Sequence, residues 1–183
     1  DVDNSFYKFS IEGDNGIRFG LGGIKGGSIK SMKAIVDERR QGGPFESLDD
    51  LISRVGTENV TKKDLEYLIK VGAMDQFGKR NSLLAVVNGV YARIAKEGSI
   101  RSTGQMGLFA TATGDVAKLR ATPLPNLDPV QDAQLIQWER ELLSVFLTKH
   151  PLDRFSWIGL YPEFKLLNEL PEMREGTHVK LLG

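Results

Sequence analysis

Two short stretches of this sequence carry residue types whose spacing could do chemistry. The first is Gly20-Leu21-Gly22-Gly23-Ile24-Lys25-Gly26-Gly27-Ser28. Glycines at this density let backbone N–H groups come close to a ligand, and the chemistry they suggest is phosphate binding. Two nucleotide-loop patterns fail. A dinucleotide loop needs G-x-G-x-x-G, and counting from Gly20 the sixth position is Lys25. A P-loop needs Gly-Lys-Ser/Thr in succession, and Lys25 is followed by Gly26. A tight turn through Lys25, Gly26, Gly27 and Ser28, opening onto a helix near Ile29, fits better. Its N–H groups, with the helix dipole behind them, would hold a phosphate oxygen without reading any base. Lys25 and Lys30 would add charge. A glycine turn that serves only packing is the alternative, and these residues alone leave both open.

The second stretch is Gln105-Met106-Gly107-Leu108-Phe109. The Gln105 amide can hydrogen-bond a partner's backbone, and Leu108 and Phe109 can fill an apolar pocket. Met106 can adapt to an irregular neighbouring surface. Ordering a flexible chain costs entropy, so such anchors must be few, large and deeply buried. The alternative is that Leu108 and Phe109 dock on the chain's own core.

Other chemistry finds little support. There is no cysteine, which removes a disulfide scaffold, a thiol nucleophile, iron–sulfur ligation and a Cys-type zinc site. His150 and His178 are far apart, so a His-based metal or triad site is not expected. No catalytic set is expected either. Asp49-Asp50 reads as a helix start, Asp1-Val2-Asp3 is terminal, and Glu139 and Glu141 around Arg140 read as surface charges. The 24 basic and 24 acidic residues leave zero formal net charge. A stand-alone nucleic-acid binder is usually basic, so any contact with nucleic acid must come from a local patch. No apolar run approaches the roughly 18 residues of a membrane span. The chain begins at Asp1 without a signal segment and reads as a piece of a longer protein.

The elements that must position these stretches divide the 183 residues into four parts. Residues 1–20 are β-like. Phe9 and Ile11 alternate with polar neighbours, Gly13-Asp14-Asn15-Gly16 predicts a four-residue hairpin loop, and Ile17 and Phe19 flank Arg18. Residues 21–98 are helical. Ser28 precedes a helix with Ile29, Met32, Ile35 and Val36 on one face, stopped by Gly42-Gly43-Pro44. Ser47 and Thr61 are expected to cap the second and third helices, and Gly72 to end the third. A fourth runs from Asn81 or Ser82 through Leu83, Val87, Val90 and Ile94 to Gly98. Residues 99–130 are rich in Ser, Thr, Gly, Ala and Pro and predict an extended, flexible connector. Residues 131–183 return to a helix with Trp138 and Phe146 spaced for core packing, ended by His150-Pro151. A partial α+β region follows, in which residues 175–183 read as a strand lacking a partner. The fold class is mostly α.

Several motifs in one order resemble the C-family replicative polymerases, the alpha subunits of bacterial DNA polymerase III. They are Ile17-Arg18-Phe19-Gly20-Leu21-Gly22-Gly23-Ile24-Lys25-Gly26, the helix Ala34–Arg40, and Gly43-Pro44-Phe45-Glu46-Ser47-Leu48. Further along come Leu65–Asp75, Trp138-Glu139-Arg140-Glu141-Leu142-Leu143 and His150-Pro151-Leu152-Asp153. The resemblance implies a stretch that follows the fingers: residues 1–20 close them, 21–98 form a tandem helix-hairpin-helix domain, 99–130 carry a sliding-clamp-binding segment, and 131–183 lead into an OB-type domain. It implies phosphate contacts at a first hairpin over Lys25, Gly26, Gly27 and Ser28, with Lys30 beside it. A second hairpin would centre on Gly72, with Lys62, Lys63 and Lys70 before it and Lys79 and Arg80 after it. The family pattern is Gly-x-Gly at the first hairpin, and Ser28 stands where the second glycine is expected; if that position needs positive φ, Ser28 is strained. Gln105, Met106, Leu108 and Phe109 resemble the clamp-binding pentapeptide.

The implied function is processivity. The hairpins hold duplex DNA without reading sequence, and the connector tethers the polymerase to the clamp, in the cytoplasm and beside other replicative subunits. The segment itself is expected to be inactive and to need no cofactor; the parent would transfer nucleotides with magnesium. The alternatives are a helix-hairpin-helix repair protein, which would bind DNA but not the clamp, and a scaffold that binds the clamp but not DNA.

Overall fold

The computed structural model describes residues 1–102, 121–151, 153, 164–165, 176, 178 and 180–181. The chain separates into two compact units, Asp1–Val145 and Phe146–Gly183. As the sequence predicts, the described residues are mostly helical, with a small antiparallel hairpin near the start.

In the first unit, β1 (Ser10–Glu12) pairs with β2 (Gly16–Arg18), with Ile11 opposite Ile17. Glu12 faces Gly16, so the loop is three residues rather than the four predicted; Gly16 already belongs to the strand. Ile11 and Ile17 are both exposed. A short 3-10 turn, Leu21–Gly23, leads to α1 (Ile29–Gly42), then α2 (Leu48–Val55), α3 (Lys62–Lys70), a second 3-10 turn, Asp75–Phe77, and α4 (Arg80–Ser102).

The local chemistry accounts for the helix starts. Ser28, Ser47 and Thr61 each stand in extended backbone and accept a hydrogen bond from the N–H three residues on, which satisfies an otherwise orphan donor. Asp49 and Asp50 sit in the first turn of α2, where the helix dipole favours negative charge. The amphipathic faces of α1 to α4 meet in one core. Ile35, Leu51, Ile52, Leu65, Leu68, Ile69 and Leu83 are wholly buried there. On α4 the buried positions Leu83, Val87, Val90 and Ile94 recur at helical spacing.

Residues 99–102 continue α4 beyond the predicted end at Gly98. Residues 121–131 are irregular but tied down, as described below. α5 (Asp132–Leu142) stops well short of His150-Pro151. Its end is set by Ser144, which adopts φ 60° and whose N–H donates to the Glu139 carbonyl at 3.1 Å. Phe146 and Leu147 therefore leave the helix and are exposed, against the expectation that Phe146 packs in the core. Glu139, read as a surface charge, is buried.

In the second unit, β3 (Phe164–Lys165) pairs in parallel with β4 (Lys180–Leu181). The strand expected to lack a partner has one.

Candidate nucleic-acid interface

The first hairpin turns at Gly26, whose φ of 75° lies in the left-handed region that glycine tolerates. Ser28 is not in that region. It sits at φ −72°, ψ 128° as the N-cap of α1, so the strain that a missing second glycine would cause does not arise. Lys25 and Gly26 are exposed, and Gly27 and Ser28 are half-buried. Two of the hairpin's N–H groups are committed inside the unit: Lys25 to the Leu142 carbonyl at 2.8 Å and Gly27 to the Ile24 carbonyl at 3.2 Å. At the start of α1, the N–H groups of Ile29 and Lys30 precede the first intrahelical bond, from Met32 N–H to the Ser28 carbonyl at 3.1 Å. They donate to no described residue and lie at the positive end of the helix dipole.

The Ser28 N–H is held by a residue far along the chain. It donates to Asp64 Oδ1 at 2.8 Å, and the single Ser31 hydroxyl proton is shared between Asp64 Oδ2 at 2.7 Å and the Asn59 carbonyl at 2.9 Å. Asp64 is buried at position N3 of α3, where it also forms a capping box with Thr61. Thr61 Oγ1 donates to Asp64 Oδ2 at 2.6 Å, and Asp64 N–H donates back to Thr61 Oγ1 at 3.2 Å. Burial pushes the Asp64 pKa up, but the hydrogen bonds from Thr61, Ser28 and Ser31 outweigh it and hold the carboxyl below its ordinary value. The first hairpin and the start of α3 thus share one carboxylate.

That contact places two lysines beside the hairpin. Lys62 and Lys63 are exposed in the first turn of α3. The Lys63 ammonium lies 5.5 Å from the Tyr67 ring centroid, and Gly26 lies against the same ring: a Cβ on Gly26 would sit 3.1 Å from Tyr67 Cε2. Lys62 lies 5.5 Å from the Tyr91 ring centroid. Tyr91 is fixed in turn, its hydroxyl donating towards the Thr57 and Val60 carbonyls at 2.9 and 3.2 Å. Lys30 reaches the same loop, its Nζ donating to the Glu58 carbonyl at 2.8 Å. Lys25, Gly26, Gly27, Ser28 and Lys30 thus lie on the hairpin and the start of α1, which the Ser28–Asp64 bond ties to the turn carrying Lys62 and Lys63.

The second hairpin has a different character. Gly72, at φ 76°, ends α3 in a Schellman arrangement. Its N–H donates to the Ile69 carbonyl at 3.0 Å, and that of Ala73 donates to the Leu68 carbonyl at 2.8 Å. The Val71 N–H donates to the Tyr67 carbonyl at 3.0 Å. All three N–H groups of Val71-Gly72-Ala73 are committed to carbonyls at the end of α3. Lys70 is half-buried, its ammonium 5.9 Å from the Trp138 ring centroid. Arg80 is paired with Asp75 at 2.8 Å and donates to the Lys70 carbonyl at 3.0 Å. Lys79 Nζ donates to Asn126 Oδ1 at 2.9 Å and to the Leu127 carbonyl at 3.1 Å.

Residues 121–128 cross the start of α4. Thr122 donates to buried Asp49 from its backbone N–H at 3.1 Å and its hydroxyl at 2.6 Å, and Arg93 Nη2 donates to the same carboxylate. Asn81 Nδ2 donates to the Asp128 carbonyl at 2.9 Å. Gln105, Met106, Leu108 and Phe109 lie outside the described residues.

Sequence reasoning missed Asp64 and Tyr67. The Thr61-x-x-Asp64 spacing signals the cap, but nothing in the sequence signals bonds to Ser28 and Ser31. Asp49 was legible as a first-turn residue of α2 but not as the anchor of Thr122.

A helix-hairpin-helix family model matches residues 1–84. The chain is 34% identical over 155 residues to the DNA polymerase III subunit alpha of Thermus aquaticus, covering 85% of this chain and 12% of that protein. It is 39% identical over 142 residues to that of Chlamydia pneumoniae, covering 76% and 12%. Against that of Pseudomonas aeruginosa it is 31% identical over 175 residues, covering 85% and 15%.

Proposed function

The chain is homologous to one segment of the DNA polymerase III alpha subunits, spanning about 12% of the length of Thermus aquaticus's, and from that kinship we propose that it is a non-catalytic, duplex-holding segment of a replicative polymerase. It grips DNA by the phosphate backbone. The observation that carries this reading is an exposed glycine hairpin, with N–H groups opening α1 that donate to no described residue, tied by Asp64 to the turn bearing exposed Lys62 and Lys63, with Lys25 exposed in the hairpin and Lys30 held beside it by the Glu58 carbonyl. Such donors hold phosphate oxygens and touch no base edge, so binding is independent of sequence. The weight of contact falls on the first hairpin and the start of α3. Gly72 and Lys70 serve the corner of the fold, because their polar groups face the protein.

Residues 105–109 dock on the sliding clamp in this proposal, with Gln105 bonding backbone, Leu108 and Phe109 filling a pocket, and Met106 alongside. Two modest grips on one chain combine through raised local concentration into long residence on the template. The longer polymerase works in the cytoplasm with its other subunits. Among the described residues no cluster of three or more His, Asp or Glu side chains could hold a metal ion, and magnesium-dependent nucleotidyl transfer is proposed for the longer protein. Among the same residues no helix is long and apolar enough to cross a membrane.

The test is a titration with duplexes of unrelated sequence at several salt concentrations. Equal affinity for all of them, falling steeply as salt rises, is expected. Affinity that ignores salt would overturn the proposal. For the clamp, Leu108→Ala with Phe109→Ala should abolish binding, and binding that survives the pair refutes the motif.

A further inference from the structure

We propose that Asp64 is a positioning residue for DNA binding, locking the first hairpin to the lysine-bearing start of α3 so that both meet the phosphate backbone as one surface. This rests on the duplex-binding reading above. A carboxylate beside a phosphate site is at first sight misplaced, because its charge repels the ligand. Its placement accounts for it. One oxygen takes the Ser28 N–H at 2.8 Å, and the other takes the hydroxyls of Ser31 and Thr61 at 2.7 and 2.6 Å. Ser28 and Ser31, at the hairpin and the first turn of α1, lie 36 and 33 residues before Asp64, whereas Thr61 is its own helix cap. Asp64 is 2% exposed, so water does not compete for these bonds. Charge-assisted bonds in a dry setting are about twice as strong as neutral ones and fix geometry.

Without this link, no other polar contact among the described residues joins the turn at Ser28 to α3. The Tyr67 ring, set between Gly26 and the Lys63 ammonium, would remain as a looser apolar contact. The hairpin donors and Lys62 and Lys63 would then move independently. A phosphate-binding pair held out of register loses the benefit of prior ordering.

Capping α3 and bridging to α1 are separable roles, and so are charge and geometry. Asp64→Glu keeps the charge and supplies the residue that a capping box favours, but its longer arm displaces the oxygens from Ser28 and Ser31. Asp64→Asn removes a negative charge next to the DNA, which by electrostatics alone tightens binding, yet it offers one oxygen where two are needed. The experiment measures duplex affinity and backbone-amide hydrogen exchange at Ser28 for the 183-residue chain and these variants, with Ser31→Ala as a milder third. Circular dichroism verifies that each is folded at the temperature used.

The expected result is an affinity loss of about fivefold to tenfold for both Asp64 variants, the scale of one lost charge-assisted bond. Ser28 exchange should be about tenfold faster, and Ser31→Ala should show a smaller effect of the same sign. Unchanged affinity in Asp64→Glu, or tighter binding in Asp64→Asn, overturns the proposal. A wild-type chain that binds no duplex sinks the duplex-holding reading instead, and the Ser28 exchange rates then still decide whether Asp64 locks the hairpin.

Discussion

Gly72 and Asp64 show how single residues set this surface, one by its backbone and one by its charge. Gly72 holds φ 76° at the end of α3, a conformation that costs an L-residue roughly 1–2 kcal/mol. A Cβ there would also run into the Arg80 guanidinium and the Asp75 carboxylate. Gly72→Ala should therefore lose about 2 kcal/mol of stability, read from the midpoint of a urea melt, while duplex affinity of the folded protein stays within twofold. Asp64 carries a pH signature. Its folded-state pKa lies below the ordinary value. Its contribution is therefore fully present above the unfolded value of about 3.9 and is lost as pH falls through the folded value. The stability gap between wild type and Asp64→Asn should be constant from pH 5 to 7 and shrink below about pH 4. A gap that is flat down to pH 2 would show that the carboxylate gains nothing from its four donors, the N–H and hydroxyl of Thr61, the Ser28 N–H and the Ser31 hydroxyl.

At the scale of elements, the helix starts were legible and the tertiary ties were not. Ser28, Ser47 and Thr61 announce themselves because a cap bonds a neighbour three residues away, and sequence displays that spacing. The early end of α5 was hidden. The apolar spacing of Leu142, Phe146 and Leu147 continues a helix, but Ser144 takes a left-handed turn that few residues other than glycine and asparagine adopt. Residues 121–128 were hidden for another reason. Their Pro-rich composition reads as a connector, yet Thr122, Asn126 and Asp128 meet partners 47 to 73 residues away through isolated contacts that leave no periodic trace. Asp49 concentrates that tie, since it is buried and accepts from both Thr122 and Arg93. Asp49→Asn should destabilise the unit by roughly 1–3 kcal/mol, the penalty for imperfectly pairing buried polar groups. It should also speed amide exchange at Thr122 more than at Leu68 in the core. Equal acceleration at both sites would mean that Asp49 merely supports the core.

For the whole molecule, a net charge of zero leaves placement as the only source of a phosphate-binding face. The residues proposed to make that face come from two separate stretches, 24–30 and 61–67, which the Ser28–Asp64 contact brings together. Sequence identified the lysines but could not sort them. The structure separates them by burial and neighbours: Lys25, Lys62 and Lys63 are exposed, the latter two beside the Tyr91 and Tyr67 rings, whereas Lys70 is half-buried over Trp138 and Lys79, though exposed, donates to Asn126 and the Leu127 carbonyl. This sorting has a quantitative consequence. Each phosphate neutralised on duplex DNA contributes about 0.9 to the slope of log affinity against log salt. Replacing Lys25, Lys62 or Lys63 by alanine should each flatten the slope by roughly that amount and weaken binding equally on all sequences. Lys70→Ala should leave the slope unchanged, because a half-buried cation at the second corner lies outside the proposed grip. If Lys70→Ala flattens the slope and Lys63→Ala does not, the phosphates run along the second corner, and the assignment of the first hairpin as the principal grip is wrong.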